Sequence, residues 1–427
     1  MGKGCILGYD LNEKYCQISF YDEKKNEPET LEVSSENYQI PLALGLCDGE
    51  WIYGKSAQLL AKMDGEDIIT DLFEKAMHRE KVELAGKKYD SVWLLAKFIT
   101  LSLEQFEDIR VITFTSPKTD VDMSKMMKAI GRNLGLAKEN VHVQDYKESF
   151  CYYMFNQPKE LWQYESALFY CDAQKINACM LKKLHISNAK GKEMFVTVDE
   201  VASADIRELE ALSSIMNEEK AKSADDSFQA FIRNVFEKKV ISSVFLTGDG
   251  FEKNWYPNSL KMLCNGRRAF IGNNLYSKGA CYTSIRKYKG YTNGPVYLDE
   301  TRMTEQISLR MRVDGKEGWY PIVAWGKRWY EADGQWEVIL EDTSDIEVHI
   351  ETLASEELQV ETISLEGLKE RRDYSLRLQI AIMFLDEKTC RITLRDVGFG
   401  EFFESTGFYA EKVIHLGGSN GQFNSMS

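Results

Sequence analysis

The sequence predicts an α/β chain made of two duplicated lobes and followed by a C-terminal antiparallel β-sandwich. Three observations predict it. A strand, an Asp-containing turn and a second strand open the chain and recur near its middle. Strands and amphipathic helices alternate over the first two-thirds. From about Gly294 the pattern shifts to segments rich in Val, Ile, Trp and Tyr with turn residues between them.

Cys5 to Tyr9 reads as a short apolar strand, Asp10 to Lys14 as a polar turn, and Tyr15 to Tyr21 as a strand with partial alternation. A short strand at Trp51 to Tyr53 precedes a helix over Lys55 to Lys62, where Ser56, Leu59 and Leu60 keep helical spacing. Val92 to Phe106 is a longer helix with Val92, Leu95, Ala96, Ile99 and Leu103 on one face. Then come a strand at Val111 to Thr115, a helix at Ser124 to Leu134 closed by Gly135, a strand at Val141 to Gln144 and an aromatic-rich helix from Glu148 to Phe155. A second hairpin, Ala167 to Cys171 and Ile176 to Leu184 about the turn Asp172 to Lys175, repeats the opening one. Helices are expected over Ala204 to Asn217 and Phe228 to Lys239, with the charged stretch Glu218 to Asp226 as a solvated loop between them. The strand Ser243 to Thr247 ends in a turn of Gly248, Asp249 and Gly250. Strands of the sandwich are expected at Ile307 to Val313, Gly318 to Trp325, Gln335 to Leu340, Glu347 to Leu353, Ser375 to Phe384 and Thr389 to Arg395. The domains are then 1–293, with lobes of about 1–165 and 166–293, a β-sandwich over 294–416 and a flexible tail at 417–427.

Composition narrows the function classes. A chain of 427 residues, 44% hydrophobic and 28% charged with seven prolines, is expected to fold into more than one domain. Its net charge of −14, with no dense Lys/Arg run, opposes phosphate backbones and anionic lipid, so neither nucleic acid nor membrane is an expected partner. Nine scattered cysteines without a CxxC pair read as reduced thiols. With no basic and apolar leader at the start and no apolar run of membrane-spanning length, a cytoplasmic location is expected. Five histidines without an HxxxH or Cys/His cluster give no zinc or iron motif.

Several short motifs occur in a fixed order. They are Gly8, Tyr9, Asp10 and Leu11; Ile40 and Pro41 with Asp48, Gly49, Glu50, Gly54 and Ala57; Gly86, Lys87, Lys88 and Tyr89 before the Val92 helix; Val111 to Phe114 with Glu148, Ser149 and Phe150 to Tyr152; Asp172; and Leu246 to Gly250 with Gly279 and Ala280. In this order the first two-thirds resembles the actin-like ATPase domain of the DnaK-type heat-shock chaperones. The β region, notably Leu378 to Leu394 with its Asp386 turn, resembles their peptide-binding domain.

The resemblance implies a cleft in which the two hairpin turns hold the phosphates of ATP or ADP with magnesium. It places Gly8, Asp10, Asn12, Lys14, Asp172, Lys175, Gly248, Gly250 and Gly279 at the cofactor, Asp10 and Asp172 as ligands of magnesium through water, and Asp10, Asp172 and Glu148 as candidate catalytic groups. The bland reading of Asp10 and Asp172 is a turn aspartate, of Gly248 and Gly250 a plain backbone turn, and of Glu148 a helix-start carboxylate.

The residues depart from the family's pattern where its chemistry depends on close backbone approach. Asn12, Glu13 and Lys14 stand where the family has glycine and small hydroxyl residues, and Ala173, Gln174, Lys175 and Ile176 replace a run of glycines. Phe73 falls at the family's catalytic lysine, with Lys75 only nearby. A carboxylate such as that of Glu13 about 4 Å from a phosphate oxygen costs roughly 1 to 4 kcal/mol. The expected function is therefore a DnaK-like module that binds an unidentified protein or peptide, with nucleotide binding weak or lost, and with either ATP or ADP and magnesium or no cofactor at all. The alternatives are an ATP-dependent chaperone-like ATPase, in which Lys14 or Lys175 pairs with a phosphate, and a small-metabolite kinase of the same superfamily. The Trp319, Tyr320, Trp325, Trp329, Tyr330 and Trp336 cluster reads as sandwich core or as an exposed aromatic patch. No long amphipathic helix follows Val413 to form a lid, so a bound peptide is expected to leave quickly. The oligomeric state stays open.

Overall fold

In the computed structural model the described residues are 4–35, 37–63, 67–172, 175–184, 194–206, 209, 218–291, 294–341, 344–353, 358–368 and 376–417. The chain divides into two compact units. One comprises Met1–Lys183 with Thr197–Gly294, the other Leu184–Val196 with Pro295–Ser427.

The first unit holds two large sheets. In one, the order is Val141–Asp145, Ile109–Ser116, Cys5–Leu11, Tyr15–Asp22 and Glu27–Thr30, with the short strand Ile40–Pro41 also pairing Tyr15–Asp22. The first three strands are parallel, and Tyr15–Asp22 runs antiparallel to Cys5–Leu11 as its hairpin partner. In the other, the order within this unit is Arg268–Ile271, Ile241–Thr247, Glu165–Asp172, Lys175–Leu184 and the part of the strand Met194–Asp205 from Thr197 on. Here too the first three are parallel and a hairpin follows.

Alternation along Cys5–Leu11 assigns its two faces. Leu7, Tyr9 and Leu11 enter an apolar core with Leu94, Leu95, Phe98, Ile99, Phe114 and Met127. Gly8 faces the helix Leu275–Lys289 so closely that a Cβ there would collide with the backbone at Ser277 and Cys281. The second sheet has its own core, in which Phe169 meets Phe228 and Phe231 edge-on.

Helix starts follow aspartate caps. Asp90 caps Ser91–Ser102, Asp120 caps Val121–Asn133 and Asp145 caps Tyr146–Phe155. The last two helices therefore begin two or three residues before the positions read from apolar spacing alone. The stretch Glu218 to Asp226 corrects the sequence reading. It is not a loop but the first half of a single helix, Glu218–Val235, because Ala224, Asp225 and Phe228 form a buried stripe beneath the charged face. Of the helix expected over Ala204 to Asn217, Ala204 and Asp205 instead end a strand, and most of the remainder lies outside the described residues.

In the second unit two four-stranded antiparallel sheets share one core. Their orders are Lys316–Val323, Glu305–Val313, Asp345–Thr352, Leu358–Ser364 and Gly334–Ile339, Arg377–Asp386, Thr389–Asp396, Tyr409–His415. Ile307, Leu309, Val348, Ile350, Leu378, Ile380, Ile392 and Ile414 fill it. Two strands, Leu358–Ser364 and Tyr409–His415, escaped the sequence reading because each buries only one side chain. Residues Leu184–Val196, read from sequence as part of the first domain, belong to this unit. Met194 to Val196 pair in parallel with Pro295–Tyr297, and Phe195 packs on Trp325. Trp329 and Trp336 also back the core, whereas Trp319 lies on the solvent side, stacked on His349. The tail from residue 418 lies outside the described residues. No helix among the described residues is long and apolar enough to cross a membrane.

Candidate functional site

The turn between the first two strands is built without glycine. Its backbone closes through the Asn12 N–H, which donates to the Tyr15 carbonyl at 3.1 Å. The Asn12 side-chain oxygen accepts from the N–H groups of Lys14 (2.9 Å) and Tyr15 (3.0 Å). No residue from Asn12 to Tyr15 has a positive φ. An asparagine side chain thus stands in for the backbone geometry that glycine would give, and two amides at the tip of the turn are already engaged.

The tip carries Lys14 across to the other sheet of the same unit. Its ammonium donates to Asp172 Oδ1 at 2.7 Å and to Asp249 Oδ2 at 3.2 Å. Asp172 ends the strand Glu165–Asp172, and Asp249 opens the short 3-10 turn Asp249–Phe251 after the strand Ile241–Thr247. Burial works to lower the Lys14 pKa, but its bonds to and charges from the two carboxylates outweigh it, and the net shift is upward. All three side chains remain about half exposed, so solvent screens the pairing.

Below the tip lies a buried carboxylate. Asp10 is fully buried; one oxygen accepts from the Tyr146 hydroxyl at 2.7 Å, and the other has no hydrogen-bond partner among the described residues. Burial pushes its pKa up to about 7, against the lowering effect of Tyr146. Asp10 belongs to a polar row across the sheet, with Gln17, Asp10, Thr115 and Gln144 successive partners in register and all buried. Among the described residues Gln17 Oε1 and Gln144 Oε1 also lack donors, whereas Gln144 Nε2 and Thr115 both reach Ser149. Tyr146 stacks on Tyr276 with centroids 3.7 Å apart, joining the N-terminal ends of the helices Tyr146–Phe155 and Leu275–Lys289. Burial raises the pKa of Tyr15, Tyr146, Tyr170 and Tyr276, so these phenols stay neutral.

The expected site residues separate into two groups. Asn12, Lys14 and Asp172 meet directly or through the turn, joined by Asp249, which was not among those expected, with Asp10 reached through Tyr146, to which Asn12 Nδ2 also donates at 3.2 Å. Lys175 is exposed opposite Asp172 in the second hairpin, and Ala173 and Gln174 lie outside the described residues. The glycines face protein. Gly248, at φ +98°, would drive a Cβ into the Cys171 carbonyl, Gly250 into the Cys171 thiol, and Gly279 into the Ser149 carbonyl where two helices cross. Glu148 is buried in the first turn of its helix, its N–H donating to the Asp145 cap. Lys75 pairs with Asp71 and Glu80, and Phe73 packs against the core of the first sheet. The reading from sequence missed the roles of Asp249 and Tyr146. Asp249 was visible as an acid between two glycines, but nothing local marks Tyr146, which acts 136 residues away from Asp10.

The magnesium arrangement that the resemblance implies does not fit these residues. A carboxylate that holds a metal through water must face solvent, and Asp10 is sealed and bonded to Tyr146. Asp172 and Asp249 have an ammonium between them, and the tip amides of the first turn are taken. Among the described residues no group of three His, Cys, Asp or Glu side chains is placed to hold a metal ion.

Fold and site together define a mixed α/β protein with a separate all-β unit, in whose α/β part the first hairpin turn reaches Asp172 and Asp249 through a lysine. The chain belongs to the family described as family of unknown function (DUF5716), whose C-terminal model matches residues 27–300. Residues 302–416 match a second model, domain of unknown function (DUF8552). The two matches meet within a few residues of the break between the units at Gly294. No curated protein matches the chain.

Proposed function

We propose that the chain is a degenerate relative of the DnaK-type chaperones, an actin-like scaffold kept for binding a protein or peptide while nucleotide binding is weak or lost. The observation that carries this reading is the occupied first turn. The Asn12 side chain holds the amides of Lys14 and Tyr15, and the Lys14 ammonium holds Asp172 and Asp249, so donors and carboxylates suited to a metal-bound phosphate are committed to one another. The common strand order of the two sheets supports a duplicated scaffold. The half-exposed Trp319 and the sheet edges of the second unit supply surface of the kind that binds extended chains.

The test is thermal unfolding of the full chain with and without Mg-ATP, since a ligand that binds only the folded state raises the midpoint. No shift at about 1 mM Mg-ATP is expected. A clear shift, with magnesium-dependent phosphate release abolished by Asp10→Ala and Asp172→Ala, refutes the reading in favour of a working ATPase.

A further inference from the structure

We infer that Lys14 is a built-in cation, clasping the first hairpin turn to Asp172 and Asp249 so that the two sheets of the first unit are joined without metal or nucleotide. The inference rests on the reading that nucleotide binding is weak or lost.

Three features place the ammonium there. The backbone of Lys14 is fixed by Asn12, so the side chain leaves the turn from a set position. Its two partners lie 158 and 235 residues along the chain, at the ends of the adjacent parallel strands Glu165–Asp172 and Ile241–Thr247, and the ammonium projected from the first sheet reaches both. Asp172 and Asp249 are also like charges brought together, and among the described residues Lys14 is the cation between them. Like carboxylates at close range repel unless a cation intervenes. A divalent cation at that point would have to expel Lys14. Removing the ammonium should therefore leave two carboxylates able to take the cation that the native side chain replaces.

The experiment compares wild type, Lys14→Met, Lys14→Arg and the double variant Lys14→Met with Asp172→Asn. Each full chain is unfolded thermally in magnesium chloride up to about 10 mM, at constant ionic strength and without nucleotide. Wild type and Lys14→Arg should not respond. Lys14→Met should unfold earlier than wild type without magnesium and gain about 2 to 4 °C with it, and the double variant should lose that gain. A wild-type midpoint that itself rises with magnesium overturns the clasp, as does Lys14→Met with an unchanged midpoint and no response. Should Lys14→Met fail to fold, Asp249→Asn removes one arm of the clasp and should weaken the fall of the midpoint with added sodium chloride; an unchanged salt dependence again overturns it. An ATP-induced shift in wild type defeats the reading of lost nucleotide binding, while the magnesium-only comparison still judges the clasp separately.

Discussion

Replacing Asp10 with asparagine should stabilise the protein at neutral and alkaline pH and have little effect in acid. The carboxyl is buried, bonded on one oxygen to Tyr146 and unpartnered on the other, and its pKa is raised from 3.8 to about 7. Between those values the folded state keeps a proton that the unfolded chain has released. Stability from this group is thus fully present below about pH 4 and lost as pH rises through about 7. Three pH units at about 1.4 kcal/mol each make the loss about 4 kcal/mol, which is of the size expected for a carboxylate sealed from water. The substituted amide would carry no charge, would still accept from Tyr146, and could turn its NH2 group toward the unpartnered Gln17 oxygen opposite. Urea unfolding of wild type and Asp10→Asn at pH 5, 6, 7 and 8 reads the difference, in which groups common to both chains cancel. The variant's advantage should grow with pH to about 4 kcal/mol at pH 8. A difference flat in pH, or a variant less stable than wild type at pH 8, refutes the argument that a charged Asp10 is costly.

Tyr146→Phe removes a donor to Asp10 and an acceptor of Asn12, and should cost about 1 to 3 kcal/mol in urea at pH 8. Combined with Asp10→Asn the loss should shrink, because the orphaned acceptor is then uncharged. Asp225→Ala strips the buried cap from the helix Pro257–Leu263, where Asp225 accepts from the N–H groups of Asn258 and Ser259 and from the Ser259 hydroxyl. Denaturation should show a loss of about 3 kcal/mol, with Asp225→Asn recovering part of it. Gly279→Ala pushes a methyl into the Ser149 carbonyl at the helix crossing, and should cost about 1 to 3 kcal/mol and alter the near-ultraviolet circular dichroism of the Tyr146–Tyr276 stack.

The hairpins and parallel strands of the first unit were legible because short apolar runs there are bounded by Asp and Gly turns, as at Asp10 and at Gly248 to Gly250. Where burial is partial the pattern fades. Tyr409–His415 places Glu411 and Lys412 between its apolar residues, and the helix Glu218–Val235 opens with a run of charges over a narrow apolar stripe. At the site, sequence marked Asn12, Lys14, Asp172 and Gly248 as neighbours of a common cleft through the resemblance. It did not mark what joins them, since a lysine in a turn carries no local sign of the carboxylates it will meet. Gly8, Gly250 and Gly279 sit where backbone or side chains approach closely. A glycine needed where backbones cross looks, in one dimension, like a glycine needed beside a phosphate.

The clasp and a bound triphosphate compete for the same partners, which sets the direction of any residual nucleotide effect. Lys14 spends two of its three N–H donors and its charge on Asp172 and Asp249, so a phosphate that draws the ammonium away leaves those carboxylates facing both each other and the incoming anion. Magnesium can offset that repulsion only after the ammonium has moved aside. Wild type should therefore gain less from Mg-ATP than Lys14→Met gains from magnesium alone. That ordering is the reverse of a site in which a lysine serves as a phosphate ligand, where deleting the lysine weakens every response to the nucleotide.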